Sequence, residues 1–513
     1  MGTVFALAAG LIVATVPAAA ASVAAVTPST PAVEHVNQIA QQDVPALAGS
    51  EPDTLVEPDV AVSPVNPDIA VAAAHDGRYP DGGAVGIETA WTSDGGATWH
   101  HHALPGVTAA TGGSATWERA SDPVVAFAAD GSAYVSVLVF NSGCDTGVLV
   151  SRSVDGGKTF GAPVFAHRSA NCAVSDDKNT LLVDTSAKSP HRGRLYQFWT
   201  PFLTDIFGNA DGSPQALVFS DDHGRTWSQP VNVTLPHANT QNSQPMLLPN
   251  GTLIDAYIDF GAGASDEGSE AAGLRAAHGH AIPGRPAASA SASASVQSGP
   301  VFTTAVSTDG GSTWRPGGDI THDLGGGPDG FRCCLMSATA DPVTGHLYAT
   351  WNSVDVTKVK LSSSTNGKNW SAPVTVNRVS TALQGVNTDV SAYRGTVAVS
   401  YGITNTDTRN GRFGRQLVST SRDGGAHFPD PVVLGPRTNY AFAANAGGIF
   451  PGDYIGSAMT DGRLFTVWMV AGTPPTAGAE YHQVMWSATL DTSTGPLGRT
   501  AGAADQLTSL RSP

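Results

Sequence analysis

The residues best placed to do chemistry stand at the openings of seven short apolar runs. These are Glu57-Pro-Asp-Val-Ala-Val, Asp122-Pro-Val-Val-Ala-Phe, Asp177-Lys-Asn-Thr-Leu-Leu-Val, Gln244-Pro-Met-Leu-Leu, Cys333-Cys-Leu-Met-Ser-Ala, Asn387-Thr-Asp-Val-Ser-Ala and Asp453-Tyr-Ile-Gly-Ser-Ala. If the openings converge, Glu57, Asp122, Asp177, Asp389 and Asp453 form a partly acidic ring, joined by Arg119, Lys178, Arg332, Gln244 and Tyr454. Carboxylates held together raise one another's pKa and suit general acid–base work; they equally suit a hard cation such as Ca²⁺, the one cofactor such a ring would take. The plainer role of an Asp or Gln before Pro at a strand start is to cap the neighbouring loop.

The elements that must position this ring are marked by a second repeat, Ser/Thr-x-Asp-x-Gly-x-Thr-Trp/Phe. It occurs at Thr92–Trp99, Ser153–Phe160, Ser220–Trp227 and Ser307–Trp314, and in altered form at Ser363–Trp370, which lacks the carboxylate, and Ser421–Phe428, where His427 replaces Thr. The pattern has the physics of a tight hairpin: Ser and Asp oxygens accept the turn's N–H groups, Gly takes the positive-φ position, and the aromatic packs on the sheet. Alternating strands flank each copy, such as Gly147–Ser153 before one and Gly161–His167 after it. One interval therefore suits one four-stranded antiparallel sheet, and the whole an all-β propeller. Seven openings favour seven blades, with six as the alternative if the last only completes the first. The seventh has strands at Arg463–Val470 and His482–Thr489 and no such turn, so its fourth strand would come from the N-terminal segment and remove both sheet edges.

The repeat resembles the Asp box (BNR repeat) of the sialidase superfamily, over roughly residues 55 to 490. The runs Asp177–Asp184, Ser189–Tyr196 and Gly452–Gly456 look like those of secreted bacterial sialidase-like proteins, a group commonly labelled exo-α-sialidase. The resemblance implies a glycoside hydrolase acting on a glycan or glycoconjugate, with a non-catalytic glycan- or protein-binding propeller as the alternative. Sialidases use an Asp acid/base, a Tyr nucleophile paired with Glu, and three arginines on the substrate carboxylate. Carried over here, Asp122 would be the acid, Tyr454 the nucleophile, and Arg119 and Arg332 the anion-binding arginines, ahead of Arg412 and Arg415. Glu57, Asp177, Lys178, Gln244 and Asp453 would bind substrate. The family's Phe/Tyr-Arg-Ile-Pro motif is absent; Phe331-Arg332-Cys333-Cys334 keeps only its Phe-Arg.

Residues 1–21 read as a secretory signal peptide, apolar and ending in Ala18-Ala-Ala-Ala21, although no Lys or Arg precedes the apolar stretch. Residues 22–54 read as a Pro/Ala-rich linker that could hold the closing strand, 55–490 as the propeller, and 491–513 as a tail. Within the propeller, 261–300 is a Gly/Ala/Ser-rich insertion expected to be disordered, and His278 and His280 in it are solvated histidines. The chain is thus expected to be extracellular. Four cysteines suit two disulfides there, with Cys144 and Cys172 flanking the second hairpin, the adjacent Cys333 and Cys334 bonded to each other, left reduced or paired elsewhere, and connectivity open. A net charge of −16 argues against nucleic acid and anionic membranes as partners, since both need a basic face. Nothing in the sequence speaks to oligomeric state. Three consecutive histidines, His100 to His102, make a poor joint metal site because alternation sends the middle one to the other face.

Overall fold

A computed structural model of the chain describes Met1 and residues 31–261, 299–377, 383–407, 409 and 411–493. The signal segment, His278, His280 and nearly all of the Gly/Ala/Ser-rich insertion and C-terminal tail lie outside the described residues. The described chain is almost entirely strand, with two short 3₁₀ turns at Ala109–Thr111 and Tyr440–Phe442. No helix among these residues is long and apolar enough to cross a membrane.

Strand pairing gives four antiparallel sheets of four strands, a five-stranded sheet that includes Ala210–Gly212, an eight-stranded sheet joined in its middle by the Ala84–Ala120 pair, and a separate two-stranded sheet at Ala444–Asn445 and Ile449–Phe450. Divided at their first strands, the larger sheets make seven units. Their first strands are Leu55–Val62, Arg119–Phe127, Val174–Val183, Thr240–Leu247, Ser337–Ala340, Leu383–Tyr393 and Gly456–Thr460. Each first strand touches the next, and the last returns to Leu55–Val62. The apolar core follows the same circle. Val71 and Ile87 of unit one pack with Val135 and Val137 of unit two, and Tyr196 and Phe198 of unit three with Leu253 and Tyr257 of unit four. Phe465 and Met485 of unit seven close on Leu55 and Ala72 of unit one. This is a β-propeller, in which pleated sheets bury both faces against their neighbours.

The fourth strand of the last unit is Ala32–Ala40, paired with Gln483–Asp491. The segment that follows is not a free linker: Val44, Glu51 and Thr54 are buried. The disulfides are Cys144–Cys172 and Cys333–Cys334.

The hairpin turns show why the eight-residue pattern recurs. In the second, Ser153 Oγ accepts from Gly157 N at 2.9 Å, while Asp155 accepts from Thr159 N at 3.0 Å and Thr159 Oγ1 at 2.6 Å. Gly157 has φ 89°, and a Cβ there would collide with Val71 Cγ2, so the turn can seat against unit one only as glycine. In the sixth turn His427 Nδ1 takes the place of the Thr hydroxyl, 2.6 Å from Asp423. The fifth turn corrects the register read from sequence. There Ser364, not Ser363, accepts from Gly367 N, and Asn366, not Thr365, accepts from the N–H groups of Lys368 and Asn369. The turn is one residue shorter, and an amide oxygen does the work of the carboxylate.

Candidate functional site

Five of the seven first strands break register near their start: at Val56/Asp59, Ser121/Val124, Asp177/Thr180, Gln241/Gln244 and Val386/Thr388. Each break holds a non-glycine residue at positive φ, namely Glu57 (56°), Asp122 (49°), Lys178 (41°), Asn242 (65°) and Asn387 (33°). Such bulges re-aim one side chain out of the alternating pattern, and their left-handed backbone is costly for these residue types. Three of the five, Glu57, Asp122 and Lys178, line one mouth. Asn242 and Asn387 tie that mouth together, donating to the carbonyls of Met336 and Gly452 in the following units at 2.9 Å each.

A cavity of about 700 Å³ opens there. Its lining includes Glu57, Asp122, Asp177, Lys178, Arg332 and Asp453 together with the apolar Ile258, Phe260, Leu324, Phe331, Leu335, Met336 and the Cys333–Cys334 disulfide. Behind Glu57 and Asp122 is His75, fully shielded on the second strand of unit one. His75 Nε2 lies 2.9 Å from Glu57 Oε2, 2.7 Å from the backbone N of Asp122 and 3.3 Å from Ser121 Oγ. Glu57 Oε1 accepts from Asp453 N at 3.1 Å, so this glutamate links units one and seven. Burial acts to raise the Asp122 pKa, but the hydrogen bond from His75, the Lys178 charge and the Ser121 hydroxyl outweigh it and hold the carboxyl below its ordinary range. Asp122 is therefore a carboxylate at neutral pH, which suits a base or charge-stabilising group and not the proton donor expected from sequence.

Of the nine residues expected at the site, the fold brings six together on the cavity wall: Glu57, Asp122, Asp177, Lys178, Arg332 and Asp453. Arg332 and Asp453 form an ion pair at 3.5 Å. Arg119 is elsewhere: its guanidinium binds Asp81 at 2.7 Å and the Gly82 carbonyl, and stacks 4.0 Å from the Tyr79 ring centre, between units one and two. Gln244 points along its own strand, donating to Asn242 Oδ1 at 3.1 Å. Tyr454 lies beneath the Lys178 ammonium, 4.0 Å from its ring centre, and its hydroxyl donates to the Pro123 carbonyl at 3.3 Å. Burial, then the charges of Glu57, Asp122, Asp59 and Asp453, push this phenol well above its usual range. Neither Gln244 nor Tyr454 belongs to the cavity wall.

The sequence reading missed His75, Asn242 and Asp59. His75's only signal is a His-Asp pair interrupting the alanine-rich run Ala70–Ala74. Asp59 and Asp389 sit two residues beyond the bulges of units one and six. Asp59 accepts from Val125 N at 2.7 Å; Asp389 accepts from Ser337 and, at 2.6 Å, from Ser457. Burial raises them to about 7 and about 6, and the Asp389 charge adds to the rise at Asp59.

No protein-family model matches the chain, and no curated protein does. Among solved structures it is similar to the Hadza microbial sialidase Hz136, with 16% identity over 82% of this chain and 76% of that one and a TM-score of 0.44. It is also similar to the α-L-arabinofuranosidase Arb93A of Fusarium graminearum, at 12% over 90% and 98% with a TM-score of 0.44. The phage phi92 endosialidase matches at 10% over 91% and 71%, with a TM-score of 0.46. At these identities the likeness concerns the fold alone.

Proposed function

We propose that this chain is a secreted, sialidase-like propeller that binds a glycan in the mouth cavity and hydrolyses a glycosidic bond there. One observation carries the reading: a cavity of about 700 Å³ lined by four carboxylates and by apolar side chains. A sugar ring presents hydroxyls at its edge and C–H groups on its face, so it needs both kinds of lining. The Glu57 and Asp122 oxygens lie within 4.8 Å of each other and of His75. That is closer than the roughly 6.5–9.5 Å that leaves room for the water of an inverting glycosidase, so the pair suits retaining chemistry. In this reading the Asp122 carboxylate bonds to the anomeric carbon as Glu57, backed by His75, gives its proton to the leaving oxygen; Glu57 then takes a proton from the water that breaks the Asp122–sugar bond and releases the sugar. Four carboxylates against Lys178 and Arg332 on the wall suit a neutral sugar at least as well as a sialic acid.

A second reading, a non-catalytic glycan receptor, is favoured by one feature: the Tyr454 phenol is held neutral against the Pro123 carbonyl, unlike an activated nucleophile. The deciding experiment is fluorophore release from an α-sialoside and a panel of neutral aryl glycosides by the parent protein and by Glu57→Gln, Arg332→Ala and Tyr454→Phe. Hydrolysis is expected to fall at least about a hundredfold in Glu57→Gln. Loss with Arg332→Ala on the sialoside alone would identify an acidic sugar. No turnover across the panel, with glycan binding retained, would replace the hydrolase with the receptor.

A further inference from the structure

On the far side of unit one from His75, three adjacent strands place Asp76, Glu88 and His101 on one face. Glu88 stands opposite Ala74 and Ala103, and Asp76 and His101 are two residues along from those partners. Asp43, from the segment after Ala32–Ala40, reaches over the same face. Oxygens of Asp43 and Glu88 and a ring nitrogen of His101 all lie within 4.8 Å of one another, with His101 Nδ1 2.7 Å from Glu88 Oε1. Asp76 anchors the overlying segment, its Oδ2 accepting from the N–H groups of Asp43 and Val44 at 2.9 and 3.0 Å.

Asp76 and Glu88 are both fully buried, and their carboxyl groups lie within hydrogen-bonding reach of each other, while Asp76 Oδ1 and Glu88 Oε2 take no N–H or hydroxyl donor among the described residues. Two buried carboxylates set together in this way need something positive between them. We propose that Asp43, Glu88 and His101 bind a divalent cation, with the buried Asp76 carboxyl behind Glu88. Two carboxylates and one imidazole favour an ion of borderline softness, Zn²⁺ or Mn²⁺, over Ca²⁺. Asp43 is exposed and gives the ion its way in. The ion fastens the chain that follows the closing strand onto the first unit.

The test uses tag-free full-length protein, stripped with chelator and titrated calorimetrically with Zn²⁺, Mn²⁺ and Ca²⁺, with unfolding followed in parallel. One equivalent of Zn²⁺ or Mn²⁺ is expected to bind and to raise the unfolding midpoint with free metal concentration. Affinity should fall by about tenfold or more in both Glu88→Gln and His101→Ala. The second variant changes a partly exposed side chain, so a folding failure of the first leaves the test intact. No binding of any of the three ions overturns the proposal. So does binding that survives both substitutions, which would place the ion elsewhere, as at Glu57, His75 and Asp122.

Discussion

At the scale of single residues, the mouth rests on groups whose charge is set by what surrounds them. Asp59 has the sharpest consequence. Its folded pKa of about 7 lies above the 3.8 of an unperturbed Asp, chiefly through burial. Between those values the folded chain holds a proton that the unfolded chain has released. The stabilisation this provides is complete below about pH 4, declines as pH rises through 7, and is flat beyond. An asparagine at this position would be isosteric, would still accept from Val125 N, and would carry no charge at any pH. Asp59→Asn is therefore expected to raise the unfolding midpoint relative to the parent at pH 8 and to change it little at about pH 3.5. An equal offset at both pH values would mean that Asp59 is not the buried acid described. His75 makes a complementary case. His75→Leu would leave the Asp122 N–H without its acceptor in a shielded place, a loss of about 1–3 kcal/mol. Glycan hydrolysis should fall with it, and His75→Gln, which can still accept from Asp122 N, should recover more of the stability than of the activity.

At the scale of elements, the turns were legible in the sequence and the site largely was not, for one physical reason. A turn is specified by eight contiguous residues, so Ser153, Asp155, Gly157 and Thr159 can be read off together. A bulge is specified by how a strand pairs with its neighbour, and Glu57, Asp122 and Lys178 carry no local mark of their positive φ. Glu57 and Asp122 stood out only because Pro follows an acid there, while Asn242 and His75, which meet their partners across large sequence separations, did not stand out at all. Arg119 was misplaced because its partner Asp81 lies in a hairpin of the preceding unit. The shift in the fifth turn yields a quantitative expectation. Asp155 offers a charged acceptor to the N–H and O–H groups of Thr159 and to the Ser153 hydroxyl, whereas Asn366 offers a neutral one to two N–H groups and, at 3.3 Å, to the Ser364 hydroxyl. Hydrogen bonds to charged groups are stronger, so Asp155→Ala should cost about 1–3 kcal/mol and Asn366→Ala about 1 kcal/mol or less. Equilibrium unfolding, with hydrogen exchange at Gly157 N and Gly367 N as a local probe, separates the two; equal losses would show that the carboxylate adds nothing to the turn.

At the scale of the whole molecule, the circle is held where the two ends of the chain meet. Ala32–Ala40 covers what would otherwise be an open edge of Gln483–Asp491, paired from Ala32 opposite Asp491 to Ala40 opposite Met485 with register shifts after Val33 and after Gln38. The same strand reaches sideways. Asn37 Nδ2 donates to the Gly96 carbonyl in the first hairpin turn at 3.0 Å, and Glu34 pairs with Arg463, which also binds Asp68 of unit one. Ile39 and Ala40 are buried with Phe465 and Met485 against Leu55. Closure is thus a strand pairing, a polar tie and an apolar contact made by one short strand. Every other unit is continuous in sequence, so this joint is the one place where the ring can open without a strand leaving the middle of a hairpin. Removing residues through Ala40 should expose the Gln483–Asp491 edge, an unpaired row of N–H and C=O groups that recruits another strand. The shortened protein is expected to unfold at lower temperature and to self-associate in size-exclusion chromatography with light scattering. A synthetic peptide of residues 32–40 added in trans should reverse both effects, because it restores the pairing without restoring the covalent link. If the shortened chain stays monomeric with an unchanged midpoint, the ring is held by its inter-unit cores and the strand is a cover; if it fails and the peptide does not rescue it, the connection through residues 41–54, with its buried Val44, Glu51 and Thr54, is what the closure requires.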